Sequence, residues 1–290
     1  MHSVRARACG RVTPLADDEN PLAFLLCAGA LEDDALDIMD IALRLAALDD
    51  PTLPLARSAA HVEGLIVRAR DAGARAQSAR AQAIALAQVL YEEAGYEGDR
   101  TDYDHPDNAN IARVIERRRG LPVALGLLYI HIGRQLGWDV HGLAVPGHFV
   151  VRVAAGTERV IIDPFNGGAQ IDTPQLRLLL KRALGPDAEL SPNHLAEVSN
   201  RDVLVRLQNN IKARALAQRD LVTAARLLER MTLLAPAEAN LWYERGVIEG
   251  EIGHLAAAAA ALKACLEHAC DVTLKQNART ALSELRRKLN

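Results

Sequence analysis

Between Asp104 and Gly156 this 290-residue chain has no Cys, no Ser and no Thr. No side chain in that stretch can act as an ordinary thiol or hydroxyl nucleophile. Four cysteines, Cys9, Cys27, Cys265 and Cys270, are too scattered for a disulfide framework or a zinc site. They are expected to be reduced thiols, which suits a cytoplasmic protein. No apolar run reaches the roughly 18 residues that a membrane span needs. Strong charge is lacking too. The net value is −3, so no global field favours nucleic acid or a membrane surface. Residues 201–290 hold 14 Lys+Arg against 10 Asp+Glu, too slight a bias to predict a nucleic-acid face.

What remains is a globular composition, 50% hydrophobic and 24% charged, in a length that suits two domains. A secretory leader is not expected. Arg5, Arg7 and Arg11 precede the apolar run Leu22–Ala30, but Asp17-Asp18-Glu19 intervene and no small-x-small cleavage site follows. Residues 1–20 are polar and carry Gly10 and Pro14, so they read as a loose arm.

Residues 21–170 divide into a helical region and a mixed core. Ile38, Ile41, Leu45 and Leu48 recur at helical spacing until Asp49-Asp50-Pro51. Helices are also predicted from His61 to about Ala69 and from Ser78 to Glu93. Residues 95–108 read as a solvated acidic loop without calcium-site spacing. Residues 109–119 form a helix that Gly120 is expected to cap. Pro122 then suits the first turn of a helix that is apolar nearly all round. After Gly137 the period changes to two. Val140–Val145, His148–Val153 and Arg159–Asp163 read as three antiparallel strands. Alternation puts His148, Val150 and Arg152 on one face of the second. The fold class is therefore α+β and mostly helical, a buried helix with a small antiparallel sheet.

Residues 171–200 are a connecting segment with a helix at Thr173–Ala183. Residues 201–290 repeat at a period of 34: Ala224 matches Ala258, Leu228 matches Leu262, Met231 matches Cys265. That is tetratricopeptide spacing, with Leu274–Leu289 as a capping helix. Two repeats bury too little surface alone and are expected to pack on the preceding domain.

The order helix, His148, Asp163 is that of a Cys-His-Asp acyl-transfer site, in which a thiolate at a helix N-terminus is activated by histidine and a carboxylate holds the ring. The nucleophile position falls near Leu121, Pro122, Val123 and Ala124. None of these can attack a carbonyl. Three motifs carry a resemblance. Glu116-Arg117-Arg118-Arg119-Gly120-Leu121-Pro122 resembles an E-R-R-x-G-x-P signature, Pro146-Gly147-His148-Phe149 a P-G-H-F strand, and Asp163-Pro164-Phe165-Asn166-Gly167-Gly168 a D-P-F-N-G-G turn. With the repeats, they make residues 60–290 resemble the SirB-type bacterial family. The resemblance implies a transglutaminase-like, papain-like core, a cytoplasmic location and a regulatory or protein-binding role.

His148 and Asp163 are thus either a hydrogen-bonded core pair that fixes the sheet edge or vestigial catalytic candidates. Arg119 could hold an anionic group, as guanidinium forks suit carboxylates and phosphates. The alternative for the arginine run is one buried member paired with Glu116 or Asp163. Asn166, Gly167 and Gly168 read as a tight turn, with the alternative that they offer backbone N–H groups to a ligand. His131, His141 and His148 are not fixed at ligand distance by any spacing, so neither metal nor cofactor is expected. Cys27 is expected to be a buried thiol behind Phe24-Leu25-Leu26. The leading expectation is a non-catalytic module that binds a protein or peptide through its helical repeats. The alternative is a hydrolase or acyl-transfer enzyme in which His148 and Asp163 activate water and Arg119 or the glycine loop steadies the oxyanion.

Overall fold

The computed structural model describes residues 22–143 and 145–289. The polar arm at residues 1–20 and Cys9 lie outside the described residues. Four helices open the fold: α1 (Ala23–Ala30), α2 (Ile38–Asp49), α3 (Leu55–Ala72) and α4 (Ala79–Ala87), the last running on through a π-helical turn at Gln88–Glu93. Asp37 caps α2 by accepting the N–H groups of Met39 and Asp40. Helix α1 buries Leu25 and Ala28 and turns Leu26 and Cys27 outward. The expectation of a buried Cys27 is therefore corrected. A short helix at the edge of the core hides only one face, however apolar its sequence.

Strand β1 (Glu97–Gly98) follows, then α5 (Ile111–Arg117), β2 (Arg119–Gly120) and α6 (Pro122–Gln135). β1 and β2 pair in parallel, a two-residue contact too short to leave a period in the sequence. Helix α5 stops earlier than expected. Arg118, not Gly120, takes the left-handed conformation, with φ 62°. A non-glycine residue there is strained. Its guanidinium compensates by reaching the Tyr96 hydroxyl, the Ile115 carbonyl and His61. Arg113, not the arginine run, pairs with Glu116.

Helix α6 is the axis of the core. Every residue from Pro122 to Gly133 is buried. It packs on an antiparallel meander of four strands: β3 (Asp139–Leu143), β4 (Val150–Ala155), β5 (Glu158–Asp163) and β6 (Ala169–Gln170). Gly147 at φ 72° and a His148 N–H to Val145 carbonyl bond make a turn where a strand start was expected. β4 accordingly begins at Val150, and His148 sits just before the sheet. Helix α7 (Thr173–Leu184) then crosses with a reciprocal Asp172–Gln175 capping box.

The last five helices are α8 (Asn200–Ala217), α9 (Leu221–Leu234), α10 (Ala239–Glu251), α11 (Leu255–His268) and α12 (Val272–Leu289). The 34-residue pattern is met in the packing: Ala224, Ala258, Leu228, Leu262, Met231 and Cys265 are all fully buried. Val203, Leu204 and Leu207 of α8 belong to the same apolar cluster as α2, α3 and α6. Ala258, Leu262, Cys265, Ala278, Leu282 and Leu285 form a separate cluster within α11 and α12. Polar clasps add to the junction. Arg201 donates to the carbonyls of Ala28, Leu31 and Leu234, and Arg230 reaches Asp49 and the Leu48 carbonyl. Among the described residues no helix is long and apolar enough to cross a membrane.

Candidate functional site

His148 and Asp163 meet. His148 Nε2 lies 2.9 Å from Asp163 Oδ2, and both side chains are largely buried. The position of each is fixed by its neighbours. Phe149 drives its ring between α6 and β3, where a Cβ on Gly126 would come within 2.4 Å of the ring and one on Gly142 equally close. Only glycine at both positions admits that ring. Asp163 ends β5 and caps the Pro164–Asn166 turn by accepting the N–H groups of Phe165 and Asn166. Asn166 Nδ2 also donates to it. The carboxylate therefore holds the histidine ring through Nε2 and is itself held by three other donors. His148 Nδ1 has no hydrogen-bond partner among the described residues, which leaves it as the ring nitrogen able to meet another group.

His148 opens onto a cavity of about 670 Å³. Its floor is the start of α6, with Leu121, Pro122 and Val123. No side chain caps that helix end. Phe149 and Val198 add apolar wall, Tyr103 forms one rim, and α8 makes the roof with Asp202, Val205, Arg206, Asn209 and Asn210. Arg206 Nη2 donates to the His148 carbonyl at 2.8 Å and its guanidinium lies 5.4 Å from the Phe149 ring centre. Aromatic rings flank the histidine: His148 to Phe165 is 6.3 Å and Phe165 to Tyr103 is 5.8 Å, both edge-on. Tyr103 is carried by a loop whose anchor is Asp99. Burial pushes the Asp99 carboxyl up, but bonds from the Asp102 N–H, Thr101, Asn108 and Arg117 outweigh it and hold the pKa at about 2. The acidic loop is thus fastened to the core at one end, not wholly solvated.

The other candidates lie elsewhere. Arg119 pairs with Glu97 at 2.6 Å on the small parallel sheet and does not line the cavity. Arg117 pairs with the buried Asp99, and none of the three arginines pairs with Asp163. Asn166 is occupied by Asp163 and by Arg100. Gly167 and Gly168, both at positive φ, face Tyr91 and Tyr129. The three histidines are spread out, His131 beside Asp37, His141 between Asp139 and Glu197, and His148 on Asp163. Among the described residues no group of three His, Cys, Asp or Glu side chains gathers at metal-binding distance.

Arg206, Tyr103 and Tyr129 were not singled out by sequence. Only the fold of α8 brings Arg206 to His148. Tyr129, fully buried on α6, has its hydroxyl beside the Gly168 turn without a hydrogen-bond partner. Burial and then the Asp163 charge push its pKa far above the ordinary phenol value.

Residues 56–209 match the transglutaminase-like superfamily. The chain belongs to that superfamily. Its transglutaminase-like part is followed by a tetratricopeptide repeat match at residues 211–287. A "UPF0162 protein" of Vibrio cholerae is 30% identical over 216 residues, 74% of this chain and 80% of that protein. A "UPF0162 protein" of Xylella fastidiosa strain 9a5c is 29% identical over 227 residues, 77% and 81% of the two chains. "Protein SirB1" of Salmonella typhimurium is 26% identical over 192 residues, 66% and 71%. These bear out the SirB-type resemblance. No solved structure matches. A transglutaminase-like core joined to tetratricopeptide repeats suggests a protein-interaction module, since such repeats generally serve contacts between proteins.

Proposed function

We propose that this chain is a cytoplasmic binding module whose transglutaminase-like core has no acyl-transfer chemistry and whose repeats engage a protein or peptide. One observation carries the proposal: the cavity that holds His148 is floored by Leu121, Pro122 and Val123. A base held by Asp163 then faces carbon where a covalent mechanism needs sulfur or oxygen. The cavity is open rather than filled by Phe149, which supports ligand binding over a purely structural pair. The free thiols Cys27, Cys265 and Cys270 fit the reducing compartment. Water activation by His148 has less support. Arg119, a donor expected from the sequence, is engaged by Glu97 outside the cavity, and so is not placed to steady an oxyanion at His148.

The test is incubation of the purified chain with glutamine-containing peptides and a primary-amine probe, read by mass spectrometry. Neither a covalent adduct nor amine incorporation nor hydrolysis is expected. Turnover that disappears in His148→Ala would sink the non-catalytic reading.

A further inference from the structure

The cavity beneath α8 contains a positive charge that the protein leaves unneutralised. The Arg206 guanidinium bonds to a neutral carbonyl and lies over an aromatic ring, with no ion-pair partner among the described residues. One carboxylate, Asp202, lines the same cavity, and another, Asp163, holds the His148 ring; both are otherwise engaged. Asp202, one turn earlier on α8, bends back to accept the Ser199 N–H in that helix's capping box. Asp163 is held by His148, Phe165 and Asn166. Burial disfavours the charged form of Arg206, yet arginine stays protonated in proteins, so the charge is retained at a cost that an anion would relieve.

The rest of the lining sets what that anion is attached to. Leu121, Val123, Phe149 and Val205 present carbon, and Tyr103 offers a half-exposed ring at the rim. The uncapped start of α6 adds partial positive charge from the cavity floor. One guanidinium with the Asp202 carboxylate on the same lining suits a monoanion better than a dianion such as a phosphate monoester. A volume of about 670 Å³ lies within the range of small-ligand sites.

We propose that this cavity binds a carboxylate carried on an apolar body, with the carboxylate on Arg206 and the apolar part against Leu121, Val123 and Val205. The proposal rests on the core being a binding rather than an acyl-transfer site. A free apolar acid and the C-terminal residue of a peptide present the same chemistry.

Isothermal titration of the full chain separates them. The probes are hexanoate against hexanamide, and the tetrapeptide Ala-Ala-Val-Leu with a free against an amidated C-terminus. At least one carboxylate probe is expected to saturate at millimolar concentration or below, tenfold or more tighter than its amide. Hexanoate alone identifies a free acid, and the peptide alone a C-terminus. Arg206→Gln should abolish the carboxylate preference and Asp202→Asn should keep or increase it. Equal binding of acid and amide overturns the proposal, as does no saturation by any probe at about 10 mM, weaker than ~3 kcal/mol of binding. The acid–amide comparison uses the unaltered chain, so a variant that fails to fold does not decide it. Mass spectra of the same mixtures show whether a probe is converted. Conversion with binding defeats the non-catalytic reading, and binding failure without conversion defeats only the carboxylate site.

Discussion

At the scale of single residues, the site depends on a ring held between two glycines. Phe149 fixes the chain next to His148, and its slot exists because Gly126 and Gly142 lack a Cβ. In Gly126→Ala, the gain in helix propensity of about 0.5–1 kcal/mol opposes overpacking of about 1–3 kcal/mol. The ring is 1% exposed and cannot withdraw, so overpacking wins and urea denaturation should show a net loss. Gly64 on α3 has nothing within 4 Å of an added Cβ. Gly64→Ala should therefore stabilise by about 0.5–1 kcal/mol. Equal effects of the two changes would refute the packing argument. His148, Asp163 and the carbon-lined helix start were legible in the sequence, because short motifs keep those residues next to their turns. Arg206 was not, because it lies 58 positions from the carbonyl it touches and its own helix reads as a repeat. Arg118 escaped for another reason: its strained backbone is made tolerable by partners on other elements.

At the scale of elements, the repeats have two kinds of support. Helices α8 and α9 are tied to the core, whereas α11 and α12 share a cluster of their own. Leu262 is fully buried in that second cluster. Leu262→Ala should cost about 2–5 kcal/mol of local stability. Hydrogen exchange is expected to show faster exchange in α10–α12 with α6 and β4 unchanged. Uniform acceleration across the chain would mean that the whole molecule opens as one unit. The 34-residue period made these helices readable in advance, since each repeats one buried face. The strands β1, β2 and β6 were unreadable, since two residues cannot display an alternation.

For the whole molecule, three histidines outside the site link stability to pH. Burial lowers the pKa of His61, His131 and His141, with Arg118 and Arg68 adding to it at His61 and Arg134 adding at His141. Asp37 opposes it at His131, and Glu197 and Asp139 oppose it at His141, without reversing the direction. A folded pKa below the ordinary 6.5 means that the unfolded chain binds protons first. Stability from these groups is complete above about pH 6.5 and falls as the pH drops through their folded values. The urea midpoint should be lower at pH 5.5 than at pH 7.5, and replacing all three by Gln should flatten the difference. An unchanged or higher midpoint at pH 5.5 contradicts this.

Helix α8 belongs to two packings, with Val203, Leu204 and Leu207 in the core and Val205 against the Leu228 and Met231 cluster of α9. That arrangement governs how the chain can be recombined. A transplant that exchanges the repeats should be spliced in the Gln218–Asp220 turn, which leaves α8 with its recipient core. A donor α9 must then bring an apolar face for Val205. Splicing ahead of Asn200 carries away Arg206 and the roof over His148, and the recipient would inherit a transglutaminase-like fold with an uncovered seam.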